Sequence, residues 1–463
     1  MRFAAMRPIV ATVFSSSGEE QGMSTKTGLF CAMALALALG IGAIGVADNA
    51  PMAFAADSGL QAAQLDESGP SVQTQAATKS AKPAKPSKKQ LKSFRKASAD
   101  FSLELFKKSV EAKGKNANVT ISPMSVMYAL AITANGAGGK TAKQMRKVLG
   151  DGASMARINK NLAWYNSSLK NVEKAKLLNA NSVWYHNGGS LIMKPKFLAK
   201  AKKHYSAQVN GADFSAPKTV NLINSWVAEN TNGMIKQVVD RLSDDDRVAI
   251  INALYFDAEW KAPFESGDVR TERFTNANGK KRKVKMMHGT EYRYIEGDNV
   301  TGFIKPYAKG YSYVALLPRK GIDARQYAMS LDGDTFRKLV AKAKRKTVRI
   351  ALPKYSLSYT NDSMERQLQD MGIELAFSDA ANFKNMGTDR TGKLSLDRVI
   401  HKTKIDLDEQ GTRAAAVTAV FAKASSAMID VKYVTLNRPF VYAIIDNTNK
   451  LPVFIGTVSN IGK

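Results

Sequence analysis

The segment His401-Lys-Thr-Lys-Ile-Asp-Leu-Asp-Glu409-Gln-Gly411-Thr412-Arg413-Ala414-Ala415-Ala416-Val417-Thr418-Ala419-Val420-Phe421-Ala422-Lys423-Ala424-Ser425-Ser426 joins two patterns. Up to Leu407 polar and apolar residues alternate, as in a strand with one buried face. From Thr412 onward the residues are small. At period two, one face carries Thr412, Ala414, Ala416, Thr418, Val420 and Ala422, and the other carries Arg413, Phe421 and Lys423. All charge therefore falls on one side. A strand that must slot into a packed sheet needs one uncharged face, because an unpaired charge is costly to bury. By pattern alone, a plain edge strand or an alanine-rich helix starting at Gly411 fits as well.

Around this segment the chain has 463 residues, of which 44% are hydrophobic, 8% aromatic and 23% charged, ample material for a folded core. That length admits one large domain or two to three ordinary ones. Residues 29–46 are nearly all Ala, Leu, Gly and Ile, follow Lys26, and lead to the cleavage pattern Ala53-Phe54-Ala55. Residues 1–55 thus read as a secretory signal, with Met23 an alternative start. The same stretch is long enough to span a bilayer uncleaved. The single cysteine, Cys31, lies inside it, so a mature chain would offer neither disulfides nor a cysteine–metal site. Export without cysteine fits a bacterial-type secreted protein, extracellular or held at the cell surface. Residues 56–97, rich in Ala, Lys, Ser, Gln and Pro without hydrophobic period, read as a disordered spacer. From Ser98 to the end, helical stretches at 99–113, 123–135 and 222–230 mix with β-rich runs at 177–185, 248–256, 312–317, 348–353 and 433–446. Without a regular βα repeat this is an α+β pattern.

The net charge is +28. Residues 1–55 hold three basic and three acidic groups, so the whole excess belongs to the mature chain. It concentrates at Lys280, Lys281, Arg282, Lys283 and Lys285, and again at Lys342, Lys344, Arg345, Lys346 and Arg349. These clusters are candidate polyanion sites or plain solvated faces. Aromatics do not interleave them along the chain, so nucleic acid is not an expected partner. Enzyme signatures are missing. The four histidines, His186, His204, His288 and His401, form no H-x-x-x-H pair, and no G-x-S-x-G elbow occurs. Gly138-Gly139-Lys140-Thr141 resembles the end of a phosphate-binding loop. Its required first glycine is Ala134, and the preceding segment reads as helix. No catalytic activity, cofactor or metal site is expected.

The segment first quoted resembles the reactive-loop hinge of inhibitory serpins: Glu, any residue, Gly, Thr, any residue, three alanines, any residue, Thr. The resemblance runs from residue 99 to the end in ordered blocks. They include Ile121-Ser122-Pro123-Met-Ser125, Ala180-Asn181-Ser-Val-Trp184, Asn224-Ser-Trp226-Val227, Ile251-Asn252-Ala-Leu-Tyr-Phe256 with Trp260 and Phe264, Leu352-Pro353-Lys354-Tyr355, Asn437-Arg438-Pro439-Phe440 and Phe454-Ile-Gly456. It implies the serpin fold, three β-sheets with a shell of helices and an exposed reactive-centre loop. It also implies a monomeric suicide inhibitor whose loop is cut by a serine-type protease and then inserts into the main sheet, trapping the acyl-enzyme.

The hinge is then Glu409, Gly411, Thr412, Ala414, Ala415, Ala416 and Thr418. The family cuts sixteen residues after the hinge glutamate, at the Ser425–Ser426 bond here, which suits elastase-like or subtilisin-like enzymes with shallow pockets. Ser122, Ser125, Asn252 and His401 are implied to form a polar cluster under the centre of the sheet. Lys354 and Glu409 would pair at its top, with Trp260 beneath them. Arg413 departs from the family's usual glutamate and Val417 from a usually small residue, both on the outward face. The alternatives to inhibition are a non-inhibitory serpin acting as a binding module, and a protein bound to polyanions or the cell wall through its basic clusters.

Overall fold

The computed structural model describes residues 83–169, 174–243, 245–361, 363–390, 392, 394–396, 399–412 and 430–462. A six-stranded main sheet carries the region of interest. Its strands in chain order are β1 (Ala175–His186), β2 (Gln208–Ala212), β3 (Val248–Glu259), β4 (Tyr355–Asn361), β5 (His401–Leu407) and β6 (Gly411–Thr412). Their spatial order is β4-β5-β6-β3-β1-β2. The alternation read for 401–407 is realised: His401, Thr403, Ile405 and Leu407 are buried while Lys402, Lys404 and Asp406 are not. β4 alternates in the same way. Long antiparallel ladders join β4 to β5 and β1 to β3.

A nine-stranded sheet packs beside it in the order Val119–Ile121, Pro452–Val458, Phe440–Asp446, Tyr311–Pro318, Val300–Pro306, Lys281–Gly297, Lys344–Pro353 and Lys432–Thr435, with Val269–Thr275 also paired to Lys281–Gly297. Every residue of Tyr311–Pro318, Phe440–Asp446 and Pro452–Val458 is buried, as expected of strands covered on both faces. A two-stranded ribbon, Leu191–Met193 with Gly387–Asp389, completes three sheets. With the helices this is the expected mixed α and β architecture.

Helix α1 (Lys88–Ala112) begins inside the stretch read as spacer, so residues 88–97 are structured. The cause is local. Ser87 and Gln90 form a capping box, and Leu91 and Phe94 are buried at helical spacing before Phe101 and Leu105. Helix α2 (Pro123–Ala134) packs on the core face of the main sheet, capped by Ser122, with Pro123 at its first turn. Helix α3 (Pro217–Asn230) covers the other face, where Ile223, Trp226 and Val227 meet Trp184, Ile251 and Ala253 in a separate apolar cluster. Gly139–Gly150 is a helix that follows α2 directly, so the glycines at 138–139 start a helix after a helix and form no strand-to-helix phosphate loop. Among the described residues no helix is long and apolar enough to cross a membrane, and no group of His, Cys, Asp and Glu is placed to hold a metal ion.

Candidate functional site

Among the described residues the two halves of the main sheet meet only through β6. Gly411 pairs with Glu259 and Thr412 with Ala258 on one side, and Thr412 pairs with Leu407 on the other. Among the described residues no ladder joins β3 directly to β5. Among the described residues β3 and β5 therefore stand one strand's width apart below Thr412, about 9.5 Å as two interstrand spacings require, and this separation is called the slot.

The turn that feeds β6 is built by Asp408. Its backbone N–H donates to Gly411 O (2.9 Å), and its carboxylate accepts from Gln410 N (2.8 Å) and Gly411 N (3.1 Å). Gly411 has no room for a side chain, since a Cβ there would stand 2.0 Å from Ala258 O. Trp260 anchors the turn from below. Its indole N–H donates to Asp408 O (2.9 Å), its backbone N–H donates to Gln410 O (2.7 Å), and Phe264 N donates to Glu409 O (2.9 Å). The indole stacks on Tyr307, with centroids 4.3 Å apart, and the Tyr307 hydroxyl lies 2.6 Å from Thr412 Oγ1. Thr412 thus faces the core. Beneath Trp260 and Phe264 lies a buried ion pair, Lys305 with Glu291 at 2.9 Å, with Lys305 Nζ 4.2 Å from the Phe264 ring centre. Burial pulls the Lys305 ammonium below and pushes the Glu291 carboxyl above their ordinary ranges, each opposed by the other's charge.

The pair expected at the top of the sheet is present: Lys354 Nζ is 2.5 Å from Glu409 Oε2. Partial burial opposes ionisation of Glu409, but the hydrogen bond and charge of Lys354 prevail and hold its carboxyl below the usual range. At the centre, His401 is buried and accepts a hydrogen bond at Nε2 from Ser122 N (3.0 Å), while Ser122 Oγ accepts from Ser125 N (3.3 Å). With Nε2 an acceptor, the imidazole is neutral and carries its proton on Nδ1. Burial lowers its pKa from 6.5 to about 4.

Ser122, Ser125 and His401 are brought together as read. Asn252 is not joined to them, because the slot separates β3 from β5. Its amide donates instead to Asn179 (2.5 Å) and Asn181 (2.8 Å) on β1, leaving Asn252 Oδ1 buried without a partner among the described residues. Below it the slot opens onto a cavity of about 170 Å³ whose walls include Val239, Leu242, Ile250, Leu396 and Ile400. Of the hinge, Glu409, Gly411 and Thr412 are described. Ala414, Ala415, Ala416, Thr418 and the Ser425–Ser426 bond lie outside the described residues. Sequence reading missed Asp408, Tyr307, Lys305 and Glu291. The Asp-Glu-Gln-Gly turn was detectable as turn chemistry, whereas nothing local marks Tyr307 as the partner of Thr412.

Of the basic clusters, Lys281, Arg282, Lys283 and Lys285 are exposed on a hairpin, with Arg273 opposite Lys283. The second cluster is partly neutralised, since Lys344 pairs with Glu296 and Lys346 with Asp430.

Comparison with known proteins agrees with this architecture. The serpin (serine protease inhibitor) family profile matches residues 96–461. An uncharacterized serpin-like protein of Thermococcus kodakarensis is 32% identical over 372 residues, 78% of this chain and 84% of that protein. The crystal structure of the thermophilic serpin tengpin in the native state aligns with a TM-score of 0.76 at 41% identity, covering 82% of this chain and 96% of tengpin. Human thyroxine-binding globulin aligns with a TM-score of 0.71 at 26% identity, covering 81% of this chain and all of that one. The chain belongs to the serpin family. Serpins as a class are protease inhibitors and not catalytic enzymes.

Proposed function

We propose that this chain is a suicide-substrate inhibitor of an elastase-like or subtilisin-like serine protease, with Ser425–Ser426 as the bond attacked. The observation that carries this is β6: the first hinge residues already sit between β3 and β5, hydrogen-bonded on both sides. The protease serine attacks the Ser425 carbonyl, Ser426 departs as a free amine, and an ester links enzyme to Ser425. This chain supplies the carbonyl and no catalytic group. Insertion then competes with the water that would hydrolyse the ester.

The register of Thr412 fixes what an inserting strand meets. Six residues on, Thr418 falls opposite Asn252 and His401, where its hydroxyl is within the row of the unsatisfied Asn252 Oδ1. Val420 and Ala422 fall opposite Ile250 and Val248, beside the apolar cavity. The small inward face read from the sequence suits these neighbours. Incubation with an elastase-like protease tests the proposal: an SDS-stable complex with a protease-linked Ser425 supports it, and clean loop cleavage without complex sinks it.

The non-inhibitory reading has one support, the structural likeness to thyroxine-binding globulin, whose name describes binding of a small ligand. Loop cleavage discriminates, since an inserting serpin gains thermal stability on being cut and a non-inserting one does not. The exposed row of Lys281, Lys283 and Lys285 supports polyanion binding as an accessory property, tested by whether retention on heparin falls with salt. We also propose that residues 1–55 direct export, that a spacer leads into the serpin domain and that the domain acts as a monomer outside the cell. Sizing and mass analysis of the secreted chain check these points.

A further inference from the structure

Tyr292 and Tyr433 are 61% and 74% exposed, in a fold that buries Tyr128, Tyr205, Tyr307, Tyr311, Tyr313 and Tyr442 almost completely. Register places them on one face. Tyr433 stands directly opposite Arg349, and Arg349 directly opposite Thr290, two residues before Tyr292. Arg349 Nη1 donates to Thr290 Oγ1 at 2.7 Å, which ties the guanidinium to the strand that bears Tyr292. Tyr292, Arg349 and Tyr433, far apart in sequence, thus lie together across three strands.

The charge of this face is one-sided. Its carboxylates, Glu296 and Asp430, are engaged by Lys344, Lys346 and Lys432. Arg349 has no carboxylate partner among the described residues. A partner that seats here must bring its own carboxylates. Arginine and tyrosine are the side chains that anchor protein interfaces, combining rigid apolar area with planar hydrogen bonding.

Position names the partner. Among the described residues strand Lys432–Thr435 is the edge of the nine-stranded sheet, and it begins six residues after Ser426. Seven residues of extended chain reach at most about 25 Å. A protease holding Ser425 in its cleft is therefore held within about 25 Å of the start of this strand. We infer that Tyr292, Arg349 and Tyr433 form a docking surface for the target protease outside its active-site cleft, taking an acidic part of that enzyme's rim. The inference rests on the inhibitory reading.

The test uses the full chain and subtilisin in two forms, native and with its lysines succinylated to make its surface acidic. A synthetic peptide of residues 409–430 reports whether succinylation alters the cleft itself. Two variants are compared with the parent: Tyr292→Thr/Tyr433→Thr, which keeps β propensity, and Arg349→Ala. Against succinylated subtilisin each should associate at least about fivefold more slowly, with unchanged moles cleaved per complex and an unchanged unfolding temperature. Association within twofold of the parent overturns the inference. So does a difference that emerges only when heparin is added, which would make the face a glycan site. Absence of any SDS-stable complex with the parent overturns the inhibitory reading itself, and the inference with it.

Discussion

Replacing Arg413 by glutamate gives the chain the residue its family usually carries at that point, and the slot geometry says this should harm it. Thr412 faces Ala258 and Leu407. The next residue of an inserting strand therefore falls opposite Asp257 on β3 and Asp406 on β5. Asp257 accepts from the Tyr255 hydroxyl at 2.8 Å, and Lys176 on β1 stands directly opposite it on its other side. Asp406 has Lys404 at 3.4 Å. Arginine between these carboxylates is attracted from both sides and glutamate is repelled from both. Each directly opposed cross-strand charge pair is worth about 0.2–1 kcal/mol, so reversing two of them shifts the inserted state by about 1–4 kcal/mol. Both carboxylates are half exposed, and solvent screening sets the expectation near about 1–2 kcal/mol. If that difference is felt as the strand enters, insertion slows about five- to thirtyfold. The assay counts loops cleaved per SDS-stable complex at low salt and at about 0.5 M salt. Arg413→Glu should waste more molecules per trapped protease, the excess should shrink in salt, and Asp257→Asn with Asp406→Asn should restore trapping. Equal stoichiometry at low salt, or no rescue by the asparagines, would refute the register.

Other expectations follow from the same geometry. His401 has a folded pKa of about 4 against an ordinary 6.5, so the folded state resists its proton. Its contribution is intact above pH 6.5 and is lost as pH falls toward 4, by about 3 kcal/mol at the lower end. Unfolding measured from pH 7 to 4.5 should slope accordingly, and His401→Gln should flatten that slope. Trp260→Phe leaves Asp408 O without its indole donor and should lower stability by about 1–3 kcal/mol in denaturant titrations; a change below about 0.5 kcal/mol would deny the anchor. Gly411→Ala puts a Cβ against Ala258 O, so faster amide exchange at Gly411 and Thr412 is expected. Protection equal to the parent's would show that β6 survives. Glu409→Gln loses a partly exposed ion pair and should cost under about 1 kcal/mol, an effect erased by salt.

Part of the main sheet was legible because its signal is local, while Gln208–Ala212 and Tyr355–Asn361 were not read as strands. His401 to Leu407 alternates cleanly, Ser122-Pro123 announces a helix start, and the small residues after Thr412 declare a face. Helix α1 was read eleven residues short, since Lys88, Lys89, Lys92, Arg95 and Lys96 mask the buried Leu91 and Phe94. The site was legible in outline through its family blocks, but its wiring was not. Tyr307 meets Thr412, Glu291 meets Lys305 and Asp430 meets Lys346 across strands whose pairing no local pattern encodes. Asn252 shows the same limit from the other side: its type predicted a polar partner, and only the distance between β3 and β5 decides which one it has.

The Asp408–Gly411 turn has a consequence for timing. Adding a strand to a sheet is slow chiefly in its first contact, when two ends must be brought together before any bond rewards the ordering. On the inhibitory reading proposed above, that step is complete before a protease arrives, because β6 is hydrogen-bonded on both flanks. What remains is elongation, like a zip whose slider is already seated. The bait's ester need survive only the run of the slider, not the search for the first tooth.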